Sequence, residues 1–131
     1  MSKFKKVLSV LVLAFILVLS VGCEKKPEKG DLVNVTVILA SQTEDLSTKK
    51  HQIKEGSSAF ELIKAEYEVE YTESEFGAFV TMIKLGEIRV QSSDTNKIYV
   101  EFIVNGESSQ VGVSSYFIKA DDILKFKETG Y

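Results

Sequence analysis

The segment KIYVEFIVNGESSQVGV, residues 97–113, constrains the fold of this chain more than any other stretch. Aromatic and β-branched residues, which favour strands, run directly into the pair Asn105-Gly106. Asn-Gly is the pair that most readily adopts the two positive φ angles of a type I′ turn, which joins antiparallel strands. The segment therefore predicts a β-hairpin with its turn at Asn105-Gly106.

Alternating apolar residues predict further strands on both sides of this hairpin. In LVNVTVILA, residues 32–40, the side chains of Val33, Val35, Val37 and Leu39 share one face of a strand. The other segments are interpreted, in chain order, as a polar turn at 41–50, a short strand at 51–56 with Ile53 facing inward, a flexible acidic connector at 71–77, one or two short strands at 77–90, a loop at 91–97 and a closing strand at 123–127.

One helix is predicted between the second strand and the acidic connector. Ser58 and Glu61 form the S-x-x-E pattern of a capping box, in which the hydroxyl accepts a backbone N–H of the first turn. Apolar residues over 59–67 then follow helical spacing. The pattern predicts a helix of two to three turns.

Strands on both sides of a single short helix are typical of the α+β class. We expect one domain over residues 32–131, built as a β-grasp-like mixed sheet with the helix packed on one face. About 100 residues can bury a sufficient core without a disulfide, and the single cysteine allows none within the chain.

The first 22 residues have the three-part organisation of a secretory signal peptide. Three lysines precede fifteen uncharged and mostly apolar residues, 7–21. That run is shorter than the roughly 20 residues that a membrane-spanning helix needs. An uncleaved membrane anchor is the alternative interpretation.

The sequence SVGC, which ends at Cys23, resembles the lipobox of bacterial lipoproteins. In those proteins the cysteine is lipidated and becomes the first residue after cleavage. Gly22 matches the small residue before the cysteine, whereas Ser20 replaces the usual leucine. The resemblance implies a lipoprotein signal peptide at 1–22, a lipidated tether at 23–31 and an extracytoplasmic location at the cell membrane. An ordinary cleaved signal with an incidental cysteine is the alternative.

The charge of the mature chain excludes some classes of partner. Three of the 16 basic residues lie in 1–22, which leaves 13 basic against 19 acidic residues and a net charge of −6. A nucleic-acid-binding protein needs the opposite sign to neutralise phosphates. We therefore expect no nucleic acid partner, and membrane attachment through the lipid rather than through a basic patch.

Catalytic and metal-binding motifs are absent from the sequence. His51 is the only histidine, so the clustered Cys and His ligands of a zinc site are missing. There is no G-x-S-x-G elbow, P-loop or dinucleotide-binding fingerprint. Asp121 and Asp122 are adjacent and point to opposite faces if the chain is extended. The sequence predicts neither an enzyme nor a metal site.

Aromatic residues around the Asn105-Gly106 turn are the best candidates for a binding site. Tyr99, Phe102 and Tyr116 flank Asn105 and Gly106 in sequence, and such a cluster beside an adaptable loop suits an apolar or aromatic ligand. The alternative is that these side chains pack in the sheet, where aromatic residues are common.

Several short motifs occur together in a recognisable order over residues 33–127. They are a glycine-led helix start at 56–60, the segment GAFVTMI at 77–83, an aromatic strand ending in V-N-G at 99–106, the G-V-x-x-Y segment at 112–116 and the final aspartate motif at 122–124. In this order the chain resembles a bacterial domain family of unknown function that is similar to the C-terminal domain of transcobalamin and intrinsic factor.

The resemblance implies a β-grasp-like fold that binds a soluble ligand or contributes one face of its site, with cobalamin or a related cofactor as one possible ligand. Val100 stands where the family commonly has tryptophan, and Asp121 stands in place of a glycine. We expect a non-catalytic, membrane-anchored lipoprotein that binds a small molecule and delivers it to a transporter component. The alternative is a module that docks onto another extracytoplasmic protein or a wall polymer.

Overall fold

The computed structural model describes residues 28–131. Eight strands and one helix make up this part of the chain. The predicted signal peptide at 1–22 and the predicted lipidation site Cys23 lie outside the described residues. Within 28–131, no helix has the length and apolar character that crossing a bilayer requires.

The elements are, in chain order, β1 (Leu32–Ala40), β2 (Asp45–Lys54), α1 (Ala59–Glu66), β3 (Glu68–Ser74), β4 (Gly77–Leu85), β5 (Ile88–Gln91), β6 (Ile98–Val104), β7 (Glu107–Ser108) and β8 (Ile123–Gly130).

The strands form two sheets. The larger sheet has the strand order β2-β1-β8-β6-β7, with β1 and β8 parallel, and the smaller sheet has the order β3-β4-β5. The α+β class and the mixed character of the larger sheet are confirmed, whereas the second, antiparallel sheet was not expected. Two-residue connections join β3 to β4 and β4 to β5, so these strands pair with each other as an antiparallel meander instead of joining the larger sheet.

The core lies between the two sheets and the helix. Val37 lies opposite Leu124, and Leu39 lies opposite Phe126, so β1 and β8 present one continuous apolar face. All four side chains are fully buried, as the alternation in the sequence predicted. The helix and strands β4, β5 and β6 contribute further buried side chains to the same core: Ala59, Leu62, Ile63, Ala78, Val80, Ile83, Val90 and Val100.

The helix begins where the capping pattern predicts. Ser58 is the N-cap, and its Oγ accepts a hydrogen bond from the backbone N–H of Glu61 at 3.1 Å. The helix has eight residues and buries Leu62 and Ile63 against the sheets. It ends at Glu66, and the next residue, Tyr67, has an extended backbone and leads directly into β3.

Two segments that looked like turns or connectors are strands. β2 starts at Asp45 rather than at 51, and β3 occupies most of the stretch predicted to be a flexible acidic connector. Both strands lie at the edge of a sheet, and most of their side chains face solvent. An edge strand therefore needs little of the apolar alternation on which the prediction relied.

The Asn105-Gly106 hairpin is confirmed. Asn105 has φ 51° and Gly106 has φ 87°, the pair of positive angles that a type I′ turn requires. β7 is only two residues long, so it pairs with β6 at Ile103 and Val104 alone. Ile98 is bonded to Ser93 and Phe102 to Ser109 on the same side of β6, whereas Val100 has no backbone partner there among residues 28–131.

The described end of the predicted tether lies against the domain. The N–H of Gly30 donates to the carbonyl of Glu55 at 2.8 Å, and the N–H of Glu55 donates to the carbonyl of Asp31 at 2.9 Å. The Nζ atom of Lys29 lies 2.9 Å from the Glu61 carboxylate. Residues 29–31 therefore continue the domain surface beside the start of the helix.

Candidate ligand-binding cleft

A cleft lies between the facing edges of β4 and β6, and we call it the β4–β6 cleft. Its volume is about 180 Å³. The lining residues are Ala78, Phe79, Val80, Tyr99, Val100, Glu101, Phe102, Ser108, Ser109, Gly112, Val113 and Phe126. It is the place where the two sheets meet without pairing.

The cleft exists because both strands lack a neighbour at this point. β5 pairs with β4 only from Met82 onward, so Ala78 to Val80 have a free edge away from β3. β8 pairs with β6 along its whole length, whereas β7 pairs with β6 only at Ile103 and Val104. The free stretches of β4 and β6 form the two sides of the cleft.

Strand alternation separates the floor of the cleft from its rim. Val100 and Phe102 point into the core, where the ring of Phe102 stacks on Phe126 with centroids 5.2 Å apart. Tyr99 and Glu101 alternate with them and therefore point away from the core. Phe79, with half of its surface exposed, stands on the other side of the opening. The cleft has an apolar floor and a partly aromatic rim.

A second, larger groove adjoins the cleft at Gly112. Its volume is about 480 Å³, and it lies between the β3–β4 turn and the loop after β7. Phe76 at the tip of that turn is 84% exposed, and Val111 faces it across the groove with nearly half of its surface exposed. Phe76, Phe79 and Val111 thus form a patch of exposed apolar side chains beside the cleft, and we call it the apolar rim patch.

Gly77 holds the loop after β7 against the start of β4. A Cβ atom on Gly77 would lie 2.9 Å from the Cβ of Ser114, and its φ of +95° is rarely adopted by other residues. The Oγ of Ser114 accepts a hydrogen bond from the N–H of Ala78 at 3.1 Å. The glycine lets the loop approach closely, and the hydroxyl fixes it there, which closes one end of the cleft.

Two of the predicted site residues direct their polar groups to a buried carboxylate. Asp122, which is 4% exposed, accepts hydrogen bonds from the Tyr116 hydroxyl at 2.7 Å, the Asn105 side-chain amide at 3.0 Å and the N–H of Lys119 at 2.8 Å. The side-chain Oδ1 of Asn105 accepts from the N–H of Ile123 at 2.8 Å. Burial, and then the hydrogen bond to Asp122, raise the pKa of Tyr116 well above its usual value. The hydroxyl therefore stays protonated and donates.

The five predicted site residues thus fall into two groups. Tyr99 and Phe102 line the β4–β6 cleft. Asn105 and Tyr116 bond to Asp122, and Gly106 lies at the exposed tip of the turn. The ring of Tyr116 contacts Phe102 edge-on at 5.9 Å, which links the two groups. Direct contact of any of the five with a ligand stays a prediction.

Sequence reasoning missed the apolar rim patch. Phe76 lies in the segment interpreted as a flexible connector, and Phe79 lies in the segment interpreted as one or two short strands. A phenylalanine inside the acidic stretch YTESEFG was the one available signal, and it was weak, because a single exposed apolar residue is ordinary and only a patch of them indicates a binding surface.

His51 makes local contacts on β2, apart from the cleft. Its Nε2 lies 2.7 Å from the Tyr67 hydroxyl, and its Nδ1 lies 3.7 Å from the Glu66 carboxylate. Burial, with a smaller effect of the Glu66 charge, raises the pKa of Tyr67 to about 12. Among residues 28–131, no three His, Cys, Asp or Glu side chains group as metal ligands.

The fold and the cleft define a small α+β domain with an open site between its sheets, and comparison with known families agrees. Residues 56–129 match the family described as a domain of unknown function, DUF4430, and the chain belongs to this family. No curated protein matches the chain at a significant level.

Two solved structures share the fold. A proposed metal-binding protein from Ruminococcus gnavus ATCC 29149 superposes with a TM-score of 0.62 at 13% identity, over 76% of this chain and 98% of that one. Haptocorrin in complex with Cbi superposes with a TM-score of 0.61 at 17% identity, over 80% of this chain. The match spans only 27% of haptocorrin. The expected likeness to the transcobalamin type of domain is therefore confirmed at the level of the fold.

Proposed function

We propose that this chain is an extracytoplasmic lipoprotein with a β-grasp-like domain that binds a small ligand in the β4–β6 cleft and performs no catalysis. Cobalamin or a related corrinoid is the best-specified ligand, and delivery to a transporter component is the role that suits an anchored binding domain. The observation that carries the proposal is the open cleft with exposed aromatic side chains beside it. Haptocorrin, which shares the fold, forms a complex with Cbi, and this supports the proposal.

The chemistry of the cleft favours a ligand with an apolar body. Its floor is made of core side chains, and Phe79 and Tyr99 stand at its rim. Among residues 28–131, Glu75 and Glu101 are the charged residues that line the cleft and the adjoining groove. An apolar surface with carboxylates nearby suits a neutral or positively charged ligand and disfavours an anionic one.

The size of the cleft indicates partial rather than complete enclosure. Pockets that enclose a drug-sized molecule have volumes of about 300–1,000 Å³, and the β4–β6 cleft has about 180 Å³. A large ligand would place one edge in the cleft and extend over the apolar rim patch and the groove beyond Gly112. The domain then contributes one face of a site, as the family resemblance implies.

The non-catalytic part of the proposal rests on the surroundings of the candidate groups. His51 lies on β2 and is hydrogen-bonded to Tyr67. In the larger sheet β1 and β8 separate β2 from β6, so His51 lies away from the cleft. Asp122 is buried and surrounded by donors from its own chain. Neither group is presented to a molecule held in the cleft.

Ligand titration tests the binding part. The purified full-length chain is titrated with cobalamin and related corrinoids by calorimetry, and each of Phe76→Ser and Phe79→Ser is expected to weaken binding about two- to tenfold, the usual range for one aromatic contact. Leu46→Ser is the matched control, because Leu46 is also an exposed apolar residue and lies on β2, at the far edge of the larger sheet. Absence of heat with every corrinoid would remove this ligand class.

Metabolic labelling tests the anchor. Cells that express the chain are grown with radiolabelled palmitate, and we expect label in the wild-type protein and none in the Cys23→Ser variant. The variant should also lose its attachment to the membrane fraction, since two acyl chains supply the stable anchoring. A wild-type protein without label would contradict the lipoprotein assignment.

A further inference from the structure

The floor of the β4–β6 cleft contains an unpaired backbone site. In a strand, the N–H and C=O groups of alternate residues point to opposite edges. The N–H of Asn105 donates to Ile123 on β8, and the carbonyl of Lys97 accepts from Tyr131, so odd-numbered residues of β6 face β8. The even-numbered residues, Val100 among them, therefore face the cleft.

The neighbours of Val100 along this edge are paired, whereas Val100 is not. Ile98 exchanges both backbone bonds with Ser93, and the carbonyl of Phe102 accepts from the N–H of Ser109 at 2.9 Å. β7 reaches only Ile103 and Val104. Among the described residues, none pairs with the N–H and C=O of Val100 at this edge, although the residue is only 7% exposed.

An unpaired donor and acceptor in an apolar cleft select the chemistry of a ligand. A ligand that buries these groups without replacing their hydrogen bonds to water loses about 1–3 kcal/mol per group. A ligand whose N–H and C=O lie on the same side, as in a primary amide or in one residue of an extended peptide, satisfies both. A purely hydrocarbon ligand, or one with acceptors alone, leaves at least one group unsatisfied.

We propose that the ligand of the β4–β6 cleft carries an amide group, which exchanges hydrogen bonds with the backbone N–H and C=O of Val100 while its apolar body contacts Phe79 and Phe102. This inference rests on the proposed function, because it specifies the chemistry of the same site. The amide belongs either to a small molecule with amide substituents or to a short extended peptide that adds to the free edge of β6.

The test uses two probes of the same shape. Hydrocinnamide carries one primary amide, whose C=O and one N–H lie on the same side, and methyl hydrocinnamate replaces its NH₂ group with a methoxy group. The isotope-labelled full-length chain in detergent micelles is titrated with each probe, and the backbone NMR signals of Val100 and Glu101 are followed. We expect the amide to shift both signals and the ester to bind about three- to tenfold more weakly, the usual effect of one lost hydrogen bond.

Two variants separate the backbone contact from the apolar one. Val100→Pro deletes the N–H that faces the cleft, and proline is tolerated where the N–H of a strand has no partner; it should bring the two probes to similar affinity. Phe79→Ser should weaken both probes equally and leave their ratio unchanged. If Val100→Pro does not fold, the wild-type titration still decides, because it reports on Val100 directly.

A third probe distinguishes the two sources of the amide. A blocked tripeptide, acetyl-Val-Phe-Val-methylamide, should bind at least tenfold more tightly than the single amide if the natural ligand is a peptide strand, and no more tightly if it is a substituted small molecule.

Equal binding of amide and ester, or an unmoved Val100 signal while Phe79 and Phe102 respond, would overturn the amide inference and leave the binding function intact. No response of any cleft residue to the probes or to corrinoids would overturn both.

Discussion

The Tyr116 hydroxyl donates a hydrogen bond to the buried carboxylate of Asp122, with an oxygen–oxygen distance of 2.7 Å. Asp122 also accepts from the side-chain amide of Asn105 and from the N–H of Lys119. One carboxylate thereby connects the β6–β7 turn, the connector before β8 and the start of β8. The ring of Tyr116 also contacts Phe102, so the hydrogen bond to Asp122 helps to hold Phe102 in the floor of the cleft.

Removal of the Tyr116 hydroxyl should destabilise the fold. Tyr116→Phe keeps the ring contact with Phe102 and deprives Asp122 of one donor, so we expect a loss of about 1–3 kcal/mol in the free energy of unfolding. Asp122→Ala should cost more, because it leaves the donors of Asn105, Lys119 and Tyr116 without their acceptor. Urea unfolding measures both. Tyr131→Phe, at a residue that is 67% exposed, is the control and should have little effect.

Alanine at Gly77 should destabilise the domain through two separate effects. Its Cβ would lie 2.9 Å from the Cβ of Ser114, and the backbone would be held at a φ of +95°. Strained backbone of this kind costs about 1–3 kcal/mol, and displacement of Ser114 should also open one end of the cleft. Gly112→Ala is the matched control, since a Cβ there meets only ordinary contacts at 3.7 and 3.8 Å. Equal loss of stability in the two variants by thermal unfolding would contradict this assignment.

Loss of the helix cap should lower the free energy of unfolding by less than the changes at Asp122 and Gly77. Ser58→Ala removes the acceptor for the N–H of Glu61, and N-cap substitutions of this type cost about 1 kcal/mol. Ser115→Ala, at an exposed serine in the loop after β7, supplies the comparison and should leave the urea midpoint unchanged. A Ser58→Ala protein as stable as the wild type would show that tertiary packing alone holds the start of the helix.

The central strands, the helix cap and the hairpin turn could be predicted because each leaves a local signal. Val33, Val35, Val37 and Leu39 alternate since β1 buries one face, and Ser58 and Asn105-Gly106 perform their roles within a few residues of chain. β3 and the first half of β2 left no such signal. Their residues, among them Lys49, Lys50 and most of the glutamates of β3, face solvent at the sheet edges.

The cleft could not be predicted, because no local segment contains it. It arises where β4 has no strand on the side away from β3 before Met82 and where Val100 of β6 has no backbone partner among the described residues on the side away from β8. These two stretches belong to different strands. The aromatic residues near the hairpin were good candidates in type, and Tyr99 and Phe102 do line the cleft. The polar groups of Asn105 and Tyr116 bond to Asp122, a long-range arrangement that residue spacing does not reveal.

The stability of the protein should fall in strongly alkaline solution because of Tyr67. The tyrosine pKa is about 10 in an unfolded chain, and burial raises the pKa of Tyr67 to about 12 in the folded protein. Below pH 10 the hydroxyl of Tyr67 is protonated in both the folded and the unfolded state, so it makes its full contribution to the free energy of unfolding. Between these two pKa values the unfolded state releases the proton and the folded state retains it, which favours unfolding as the pH rises.

The Tyr67→Phe variant isolates this effect. At neutral pH it should be less stable than the wild type, because it loses the hydrogen bond between the hydroxyl and the Nε2 of His51 at 2.7 Å. From pH about 10 to about 12 the difference in the free energy of unfolding between the two proteins should shrink. Only the wild type has a hydroxyl at residue 67, and this hydroxyl ionises more readily in the unfolded chain than in the folded protein. Urea unfolding over this pH range measures the difference, and the ultraviolet absorbance of tyrosinate follows the ionisation in the folded state. A difference that stays constant with pH would show that Tyr67 ionises equally in the folded and unfolded states, contrary to its burial in the core.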